Sequence, residues 1–396
     1  MTPQFETMLA LFGGGATGNV NANPGDIDVD AVVSFANSQG VWTVVYPALS
    51  KVCDASKYHI AFLKTVSDSI RRNEFTLNII KKIEDAGIYV CILKGVVAAS
   101  AYANPDCRIS SDTDILINPK DEKKIAKLLT ENGYTVDKRR KNDHHMKATH
   151  PIGGLLEAHV SLYSKTTEKI LFNSKKMYTE PWIDVEIGGK TVRTLGINDH
   201  LNYLTAHYIK HFVTGGASIR QMMDLLLYIK KHEKEIDFEK YNNLLTELRY
   251  KKLIDAVKTI GALYFGMGFE VSEKELAKKL LEDCESVGLF GVNSEAVTSV
   301  YRDYCHMRKS VSSSKLRFIF WFQDEQSLFN RLFPGKKLLI KKGYAYAKHS
   351  WLVPVAWIHH IFDAILRRSG SSSEKQDNDE QKNERKQLMK NLGMIE

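Results

Sequence analysis

"CRISSDTDILINPKDEKKIAKLL", residues 107–129, joins an apolar strand to two acidic side chains at its start. Asp112 and Asp114 are one residue apart, and the apolar run 115–117 follows them. Because side chains alternate faces along a strand, both carboxylates point the same way. They repel each other unless a positive charge lies between them, so removing either charge is expected to relieve strain. A divalent metal ion is the usual partner of such a pair. The stretch therefore predicts a metal-binding strand followed by a helix.

Composition indicates a globular protein rather than a fibrous or membrane-spanning one. The chain has 396 residues, of which 43% are hydrophobic and 26% charged, which suits two or three domains with a buried core. The five cysteines form no CxxC pair, so neither a zinc site nor a disulfide framework is predicted. The N-terminus does not resemble a signal peptide, and no run reaches the ~18 apolar residues of a membrane span. We expect a cytoplasmic protein.

The net charge of +8 is concentrated near the C-terminus. Residues 326–362 contain no Asp or Glu but six Lys or Arg, and they include the apolar stretch "WLVPVAWIHH". The favoured interpretation is a helix with a solvated basic face. The alternative is peripheral contact with an anionic membrane through residues 331–362. Residues 367–396 mix charges of both signs and predict a disordered tail. No nucleic-acid-binding motif is present, so nucleic acid is not an expected partner.

Periodicity divides the rest of the chain into three regions. Residues 1–87 have apolar side chains at helical spacing, with "GGGATGN" at 13–19 predicted as a flexible loop and "GDIDVD" at 25–30 as a helix start. Residues 88–163 alternate strands and helices and then continue as strands, which predicts a small mixed sheet inside a core domain at 88–195. Residues 196–366 return to helical periodicity. The predicted fold class is α+β, a small mixed-sheet core flanked by helical regions at both ends.

A third carboxylate lies on a later strand of the predicted sheet. "LLEAHVSLY", residues 155–163, contains Glu157 and, on the same face, His159. Three carboxylates that converge from neighbouring strands suit a hard cation such as Mg²⁺ or Mn²⁺. Such ions are completed by substrate phosphates, and two of them would clamp the attacking and leaving oxygens of a phosphoryl or nucleotidyl transfer. The pattern predicts metal-assisted phosphate chemistry at Asp112, Asp114 and Glu157.

Positive and small residues flank the acidic pair. Lys94 and Gly95 lie at a strand-to-helix junction, where backbone amides and an ammonium would meet a phosphate. Arg108 precedes the pair and would bind a phosphate or brace the carboxylates. The plainer alternatives are a solvated lysine at a helix start for Lys94 and a surface ion pair for Arg108.

The order Lys94-Gly95, Arg108, Asp112-x-Asp114 and Glu157-x-His159 resembles the bacterial nucleotidyltransferase-like family of the DNA polymerase β-type nucleotidyltransferase superfamily. Further segments are similar to parts of that family: "DVDAVVSFANSQGVWTVVYPAL" near the start, "HLNYLTAHYIKHF" with "SIRQMMDLLLYIKK", and "LFPGKK" with "YAYAKHSWLVPVAWIHH". The resemblance covers about residues 30–365 and is most specific over 93–163.

The resemblance implies roles for individual residues. Asp112 and Asp114 match the superfamily's metal-binding carboxylates, and Glu157 matches its third carboxylate, which completes one metal site or takes a proton from the acceptor. The usual Gly-Ser pair before the first helix is replaced by Lys94-Gly95, so the serine that holds a phosphate is missing. Beside these roles, the residues predicted to contact the nucleotide are Lys94, Gly95, Arg108, Ser111 and Arg220.

The helical region offers less specific signals. Arg220 and Asp224 are four residues apart and form either a helix salt bridge or, if they face the cleft, a phosphate contact. His207 and His211 have a spacing that suits a metal ion, but without a third ligand zinc is not expected. Three further histidines precede the Glu157 strand, and one of them is expected to line the site: His144, His145 and His150.

The resemblance implies a metal-dependent nucleotidyltransferase. It would transfer a nucleoside monophosphate from an NTP to an acceptor with release of pyrophosphate. The acceptor, whether a small molecule, a saccharide or a protein, does not follow from the sequence. Two alternatives remain open: a protein-modifying enzyme that transfers AMP, and a non-catalytic nucleotide-binding scaffold.

Overall fold

The computed structural model describes most of the chain: residues 1–20, 27–139, 143–164, 167–168, 171, 177–216, 218–287, 304, 333–341, 343–368 and 372–395. The helices before the sheet are α1 (Pro3–Thr17), α2 (Val29–Ser38), α3 (Trp42–Val52) and α4 (His59–Asp85). Within the sheet region lie β1 (Val90–Ile92), α5 (Val96–Ala99), β2 (Asp112–Ile117), α6 (Glu122–Glu131), β3 (Thr135–Val136), β4 (His145–His150), β5 (Gly154–His159), β6 (Ile183–Ile187) and β7 (Lys190–Thr194). The later helices are α7 (Ile197–Thr214), α8 (Ile219–Lys231), α9 (Phe238–Glu247), α10 (Lys251–Phe265), α11 (Lys274–Val287), α12 (Lys336–Lys341), α13 (Val353–Arg368) and α14 (Ser372–Asn391).

The described strands form one mixed sheet in the order β3-β4-β5-β2-β1-β7-β6. β2 is parallel to β5 and antiparallel to β1, and β1 is parallel to β7. Apolar side chains cover the sheet's buried face, including Ile92, Ile115, Leu156 and Ala158, each 0% exposed. Helices α4 and α6 pack against this face. The central strands β2 and β5 are hydrogen-bonded neighbours. The α+β fold with a small mixed-sheet core and helical flanks is confirmed.

The glycines at 13–15 lie inside α1 and do not form the flexible loop that was predicted. Two close approaches explain why glycine occupies helical positions here. A Cβ on Gly15 would lie 1.9 Å from the Val44 carbonyl oxygen, and one on Gly13 would lie 3.1 Å from the Phe265 Cα. Helices α1, α3 and α10 therefore pack closer than larger side chains would allow. The start of α2 follows the prediction, because Asp28 caps it by accepting a hydrogen bond from the Ala31 amide.

Helices α7 and α8 pack against each other and bring polar side chains towards the sheet. Both are buried along most of their length, with the core side chains Tyr208, Phe212 and Met222 each 0% exposed. At the start of α8 the Ser218 amide donates to Gln221 Oε1 at 3.3 Å, which satisfies one backbone group at the helix end. Helix α8 carries Arg220 and Asp224, two residues near the candidate site.

The chain forms two compact units. The first comprises residues 1–293 together with 388–396, and the second comprises residues 294–387. The predicted helical and sheet regions up to residue 287 therefore share one unit. Within the predicted disordered tail, residues 367–396, the stretch Ser372–Asn391 is helical. The last residues supply the apolar side chains that the rest of the tail lacks, and Leu388, Met389 and Leu392 are buried.

The second unit has a small core of its own around Leu339, Tyr344, Ala347 and Ala356. Trp351, Val355 and Ile358 are 76%, 51% and 58% exposed, and their spacing places them on one side of the chain. Among the described residues, no helix has the length and apolar content to cross a membrane. Peripheral membrane contact through residues 331–362 stays a prediction.

Candidate functional site

The three predicted carboxylates meet on one face of the sheet. Asp114 on β2 is the register partner of Glu157 on the parallel strand β5, and Asp112 lies two residues before Asp114. Because register partners in a sheet share a face, all three side chains project to the same side. Asp114 is 2% exposed, whereas Asp112 and Glu157 are partly accessible. The group therefore has one buried acid, Asp114, and two acids that solvent can reach, Asp112 and Glu157.

Lys94 supplies the positive charge between the two aspartates. Its Nζ lies 3.3 Å from Asp112 Oδ2 and 2.8 Å from Asp114 Oδ2. Burial lowers the pKa of Lys94, and the neighbouring Asp112 carboxylate opposes this effect. Burial alone would raise the pKa of Asp112, but the charge and hydrogen bond of Lys94 bring it below its ordinary value. The repulsion expected from the sequence is therefore compensated within the protein itself.

Glu157 has its own cation. Lys147, its register partner on the antiparallel strand β4, places Nζ 3.1 Å from Glu157 Oε1. His145 Nε2 lies 3.7 Å from the same oxygen. Burial would raise the pKa of Glu157, but the Lys147 hydrogen bond and the nearby His145 hold it below its ordinary value. Glu157 is therefore ionised at neutral pH and available as a ligand or a base.

His159 holds the orientation of Asp114. Its Nε2 lies 2.8 Å from Asp114 Oδ1, which is a hydrogen bond from the imidazole N–H to the carboxylate. Burial lowers the pKa of His159 to about 4, so the ring is neutral at neutral pH. With the single proton on Nε2, the other nitrogen, Nδ1, is buried and has no hydrogen-bond partner.

Two histidines of α7 extend the group behind Lys94. His207 Nε2 lies 3.3 Å from Lys94 Nζ and 3.2 Å from His211 Nε2. A neutral His207 with an unprotonated Nε2 would accept a hydrogen bond from Lys94. The two α7 histidines belong to none of the groups in the described chain whose ligand atoms converge for a metal ion. His207 contacts the Lys94 ammonium, and His211 contacts His207.

Arg108 is engaged by α8. Its Nε donates to Asp224 Oδ1 at 3.0 Å and its Nη2 donates to Asp224 Oδ2. Tyr102 Oη donates to the same carboxylate at 2.8 Å. Burial would lower the pKa of Arg108, but Asp224 raises it above its ordinary value. The partner of Asp224 is thus Arg108 and not the Arg220 of its own helix, so the predicted helix salt bridge is wrong.

Neither Arg220 nor Ser111 has a hydrogen bond to Asp112, Asp114 or Glu157 among the described contacts. Arg220 donates through Nη1 to the Ile109 carbonyl at 3.1 Å, which fastens α8 to the segment before β2. Ser111 is exposed, and it is Ser110 whose hydroxyl donates to Asp112 Oδ1 at 3.2 Å. The structure therefore brings together Lys94, Asp112, Asp114 and Glu157 but not the full predicted set. Ser110 and Lys147 are neighbours of the acids that the sequence did not single out.

Gly95 follows Lys94 with a φ of +76°, which L side chains rarely adopt. Among the described residues, apart from its chain neighbours, a Cβ added to Gly95 would approach the Asp112 carbonyl oxygen at 3.8 Å, an ordinary contact, so the backbone conformation and not space requires glycine. Helix α5 spans only Val96–Ala99. So short a helix contributes little dipole to phosphate binding, and Lys94 is the main cation at this junction.

The donor set fits a divalent cation. Asp114 Oδ2 is buried without a hydrogen-bond partner, because Lys94 contacts it at 2.8 Å without hydrogen-bond geometry. Asp114, Glu157 and His159 offer atoms that all lie within 4.8 Å of one another. Since His159 Nε2 donates to Asp114, the oxygen donors of this group are those of Asp114 and Glu157, a donor type that Mg²⁺ or Mn²⁺ prefers, and Asp112 lies beside them on the same face of the sheet.

The buried imidazoles predict acid sensitivity. Burial lowers the pKa of His144 and of His211 to about 4 from 6.5. Between these values the unfolded chain binds protons that the folded chain refuses, so stability falls as pH drops from about 6.5 to 4. Urea unfolding at pH 7, 5.5 and 4.5 measures this loss. His211→Gln should reduce the slope by about 1 kcal/mol per pH unit, since one group is removed. His59→Gln, at an exposed position, is the control; equal slopes in all three proteins would contradict the assignment.

A sequence model of a protein family described as uncharacterised nucleotidyltransferase matches residues 25–266, more than half of the chain. The chain belongs to this family. The match includes the whole sheet and every residue of the group around Asp114. It ends before the second unit begins.

No curated protein matches the chain. Among solved structures, the crystal structure of an antigenic nucleotidyltransferase-like protein from Paracoccidioides brasiliensis is similar, at 16% identity and a TM-score of 0.29. That similarity covers 45% of this chain and 89% of that one. A likeness of this size carries no information about activity.

Proposed function

We propose that this protein is a metal-dependent nucleotidyltransferase that transfers a nucleoside monophosphate from an NTP to an acceptor and releases pyrophosphate. The observation that carries the proposal is the register of β2 and β5, which aligns Asp114 with Glu157 and places Asp112 on the same face. Family membership supports the same reaction class. The acceptor is a small molecule, a saccharide or a protein.

The carboxylates have distinct duties in this proposal. Asp112, Asp114 and Glu157 would hold Mg²⁺ or Mn²⁺, which when bound polarises the phosphate oxygens and stabilises charge during transfer. Asp114 is fixed by the His159 hydrogen bond at 2.8 Å and by Lys94. Glu157, which is more accessible than Asp114, would accept the proton of the acceptor hydroxyl.

Lys94 would contact the triphosphate. In the protein alone its ammonium neutralises Asp112 and Asp114. With Mg²⁺ or Mn²⁺ held by these acids, the Lys94 ammonium would no longer be needed to neutralise them and would pair with a phosphate oxygen. Arg108 would act at longer range, because Asp224 occupies two of its nitrogens while Nη1 has no hydrogen-bond partner. These two cations replace the phosphate-binding serine that the superfamily usually has.

A nucleotide-binding scaffold and a transferase that places AMP on a protein are the alternative functions. A scaffold needs cations for phosphates but gains nothing from three converging carboxylates, which repel a triphosphate without metal. The retained acids therefore favour catalysis. Transfer to a protein or to a small molecule would use the same group of residues, and only the labelled product distinguishes them.

Glu157→Gln tests the catalytic proposal. Glutamine keeps the volume but neither holds a divalent cation well nor accepts a proton, so pyrophosphate release should fall ~10²–10⁴-fold. Nucleotide binding, measured by calorimetry, should persist because Lys94 and Asp114 are intact. Glu186→Gln, an exposed acid on β6, is the matched control. Wild-type activity in Glu157→Gln would remove this residue from the mechanism.

Lys94→Met tests how Lys94 and the cation share the acids. Methionine fills the same space but leaves Asp112 and Asp114 without their compensating charge, so the metal-free variant should be less stable than wild type. Mg²⁺ alone should raise its melting temperature more than that of wild type. Affinity for NTP should fall about tenfold or more, since one charge-assisted contact is lost. Lys147→Met, which removes the cation beside Glu157, is the comparison; a variant with wild-type Mg²⁺ response and NTP affinity would show that Lys94 has neither role.

A further inference from the structure

Three imidazoles gather beside the carboxylate group. His145 on β4 is the register partner of His159 on β5, and His144 immediately precedes β4. One ring nitrogen from each of the three lies within 4.8 Å of the others, and His145 Nδ1 is 3.4 Å from His144 Nε2. Ring centroids are 4.5 Å apart for His144 and His145 and 5.1 Å apart for His145 and His159. The proposed nucleotidyl transfer uses none of these nitrogens as a ligand.

His159 has the arrangement of a metal-binding histidine. Its Nε2 donates to the Asp114 carboxylate at 2.8 Å, which leaves the lone pair on Nδ1. Carboxylates fix the tautomer and orientation of zinc-bound histidines in this way. The two nitrogens of an imidazole point to different sides of the ring, so Nδ1 faces away from Asp114. Nδ1 is buried and has no hydrogen-bond partner, an arrangement that costs free energy unless a ligand occupies it.

The charges around the imidazoles tolerate a cation. Glu157 Oε1 lies 3.7 Å from His145 Nε2 and supplies negative charge at the edge of the cluster. Lys147 is paired with that same carboxylate at 3.1 Å.

We propose that His144, His145 and His159 form a second metal site, specific for a transition-metal dication such as Zn²⁺. Neutral imidazole is a ligand that Zn²⁺ and Co²⁺ accept well and that Mg²⁺ avoids, so this site differs in chemistry from the oxygen site of Asp112, Asp114 and Glu157. A metal ion held by His159 would lock the ring that orients Asp114. The second ion is thus a positioning element for the carboxylate group.

Metal binding by the full chain, stripped of metal and without nucleotide, tests the site. Co²⁺ titration followed by visible absorption, and Zn²⁺ competition against a chromogenic chelator, should show one ion per chain that millimolar Mg²⁺ does not displace. His144→Ala and His145→Ala should each lower Zn²⁺ affinity at least ~tenfold, because each removes a ligand. His59→Ala removes an exposed imidazole elsewhere and should bind as wild type.

Two further variants separate a loss of the imidazole site from a loss of the oxygen site and from a failure to fold. Asp112→Asn removes a carboxylate of the oxygen site and should leave Zn²⁺ affinity unchanged, so a failure of the nucleotidyltransferase proposal is separable from a failure of this one. His144→Gln keeps more of the side-chain volume and replaces His144→Ala if that variant fails to fold. Absence of stoichiometric Zn²⁺ binding by wild type, or unchanged affinity in the folded His144 and His145 variants, overturns the proposal.

Discussion

Asp114→Asn should lower the rate of nucleotidyl transfer about a thousandfold, a loss of the size seen when one preorganised charged contact is removed from an active site. Asp114 is the most buried of the three acids, and its Oδ2 is the buried oxygen without a hydrogen-bond partner. Asparagine has nearly the same volume but no charge to hold a divalent cation. Pyrophosphate release with each NTP and Mg²⁺ or Mn²⁺ measures the effect.

The same variant should be less stable than wild type, contrary to what the like charges alone predict. Asp114 accepts a hydrogen bond from His159 and compensates the Lys94 ammonium at 2.8 Å. An asparagine amide that still accepts from His159 turns its NH₂ group towards that ammonium. We expect a loss of about 1–3 kcal/mol in the free energy of unfolding. Asp106→Asn, at an exposed position in the same connection, is the control; a more stable Asp114→Asn would contradict the role given to Lys94.

Asp224→Asn should destabilise the first unit by about 3–5 kcal/mol, the cost of leaving a buried charge without its partner. The side chains of Arg108 and Asp224 are 5% and 8% exposed, and the carboxylate also accepts from Tyr102. The amide of asparagine would direct N–H groups at the guanidinium. Denaturant unfolding measures the change.

A surface pair from the same region provides the comparison. Lys230 at the end of α8 and Glu233 just after it form an ion pair at 2.8 Å, with side chains 34% and 56% exposed. Glu233→Gln should cost only about 0–1 kcal/mol because solvent screens exposed pairs. Similar costs for Asp224→Asn and Glu233→Gln would show that the Arg108–Asp224 pair does not anchor α8.

Local patterns in the sequence were sufficient to predict the carboxylate group. The alternation of Asp112 and Asp114 at the start of an apolar run is a property of one strand, and β2 covers the predicted residues 112–117. Glu157 could be added because an acid within a β-strand pattern is unusual. The pairing of β2 with β5 follows from the fold rather than from either stretch alone.

The cations and helix contacts depend on tertiary packing that one sequence does not reveal. Lys147 reaches Glu157 only through the β4–β5 register, and Arg108 reaches Asp224 across 116 residues. Arg220, four residues from Asp224, was the more obvious partner by helix spacing. Strands β6 and β7, a hairpin at one end of the sheet, were not predicted, although apolar and polar residues alternate along β6 in the way that indicates a half-buried strand. The run of glycines in α1 has the composition of a loop. The sequence alone does not show the close approach of Val44, which is what requires glycine there.

Transfer of an α-labelled nucleotide tests the central claim most directly. Purified wild-type chain and Asp114→Asn are incubated with each α-labelled NTP, Mg²⁺ or Mn²⁺ and separate small-molecule, saccharide and protein fractions of a cell lysate. Our account predicts that wild type transfers label from at least one NTP into one fraction, with one pyrophosphate released per label, and that Asp114→Asn does not. Label transfer at the same rate by both proteins, or none by wild type with any NTP, metal or fraction, would contradict it.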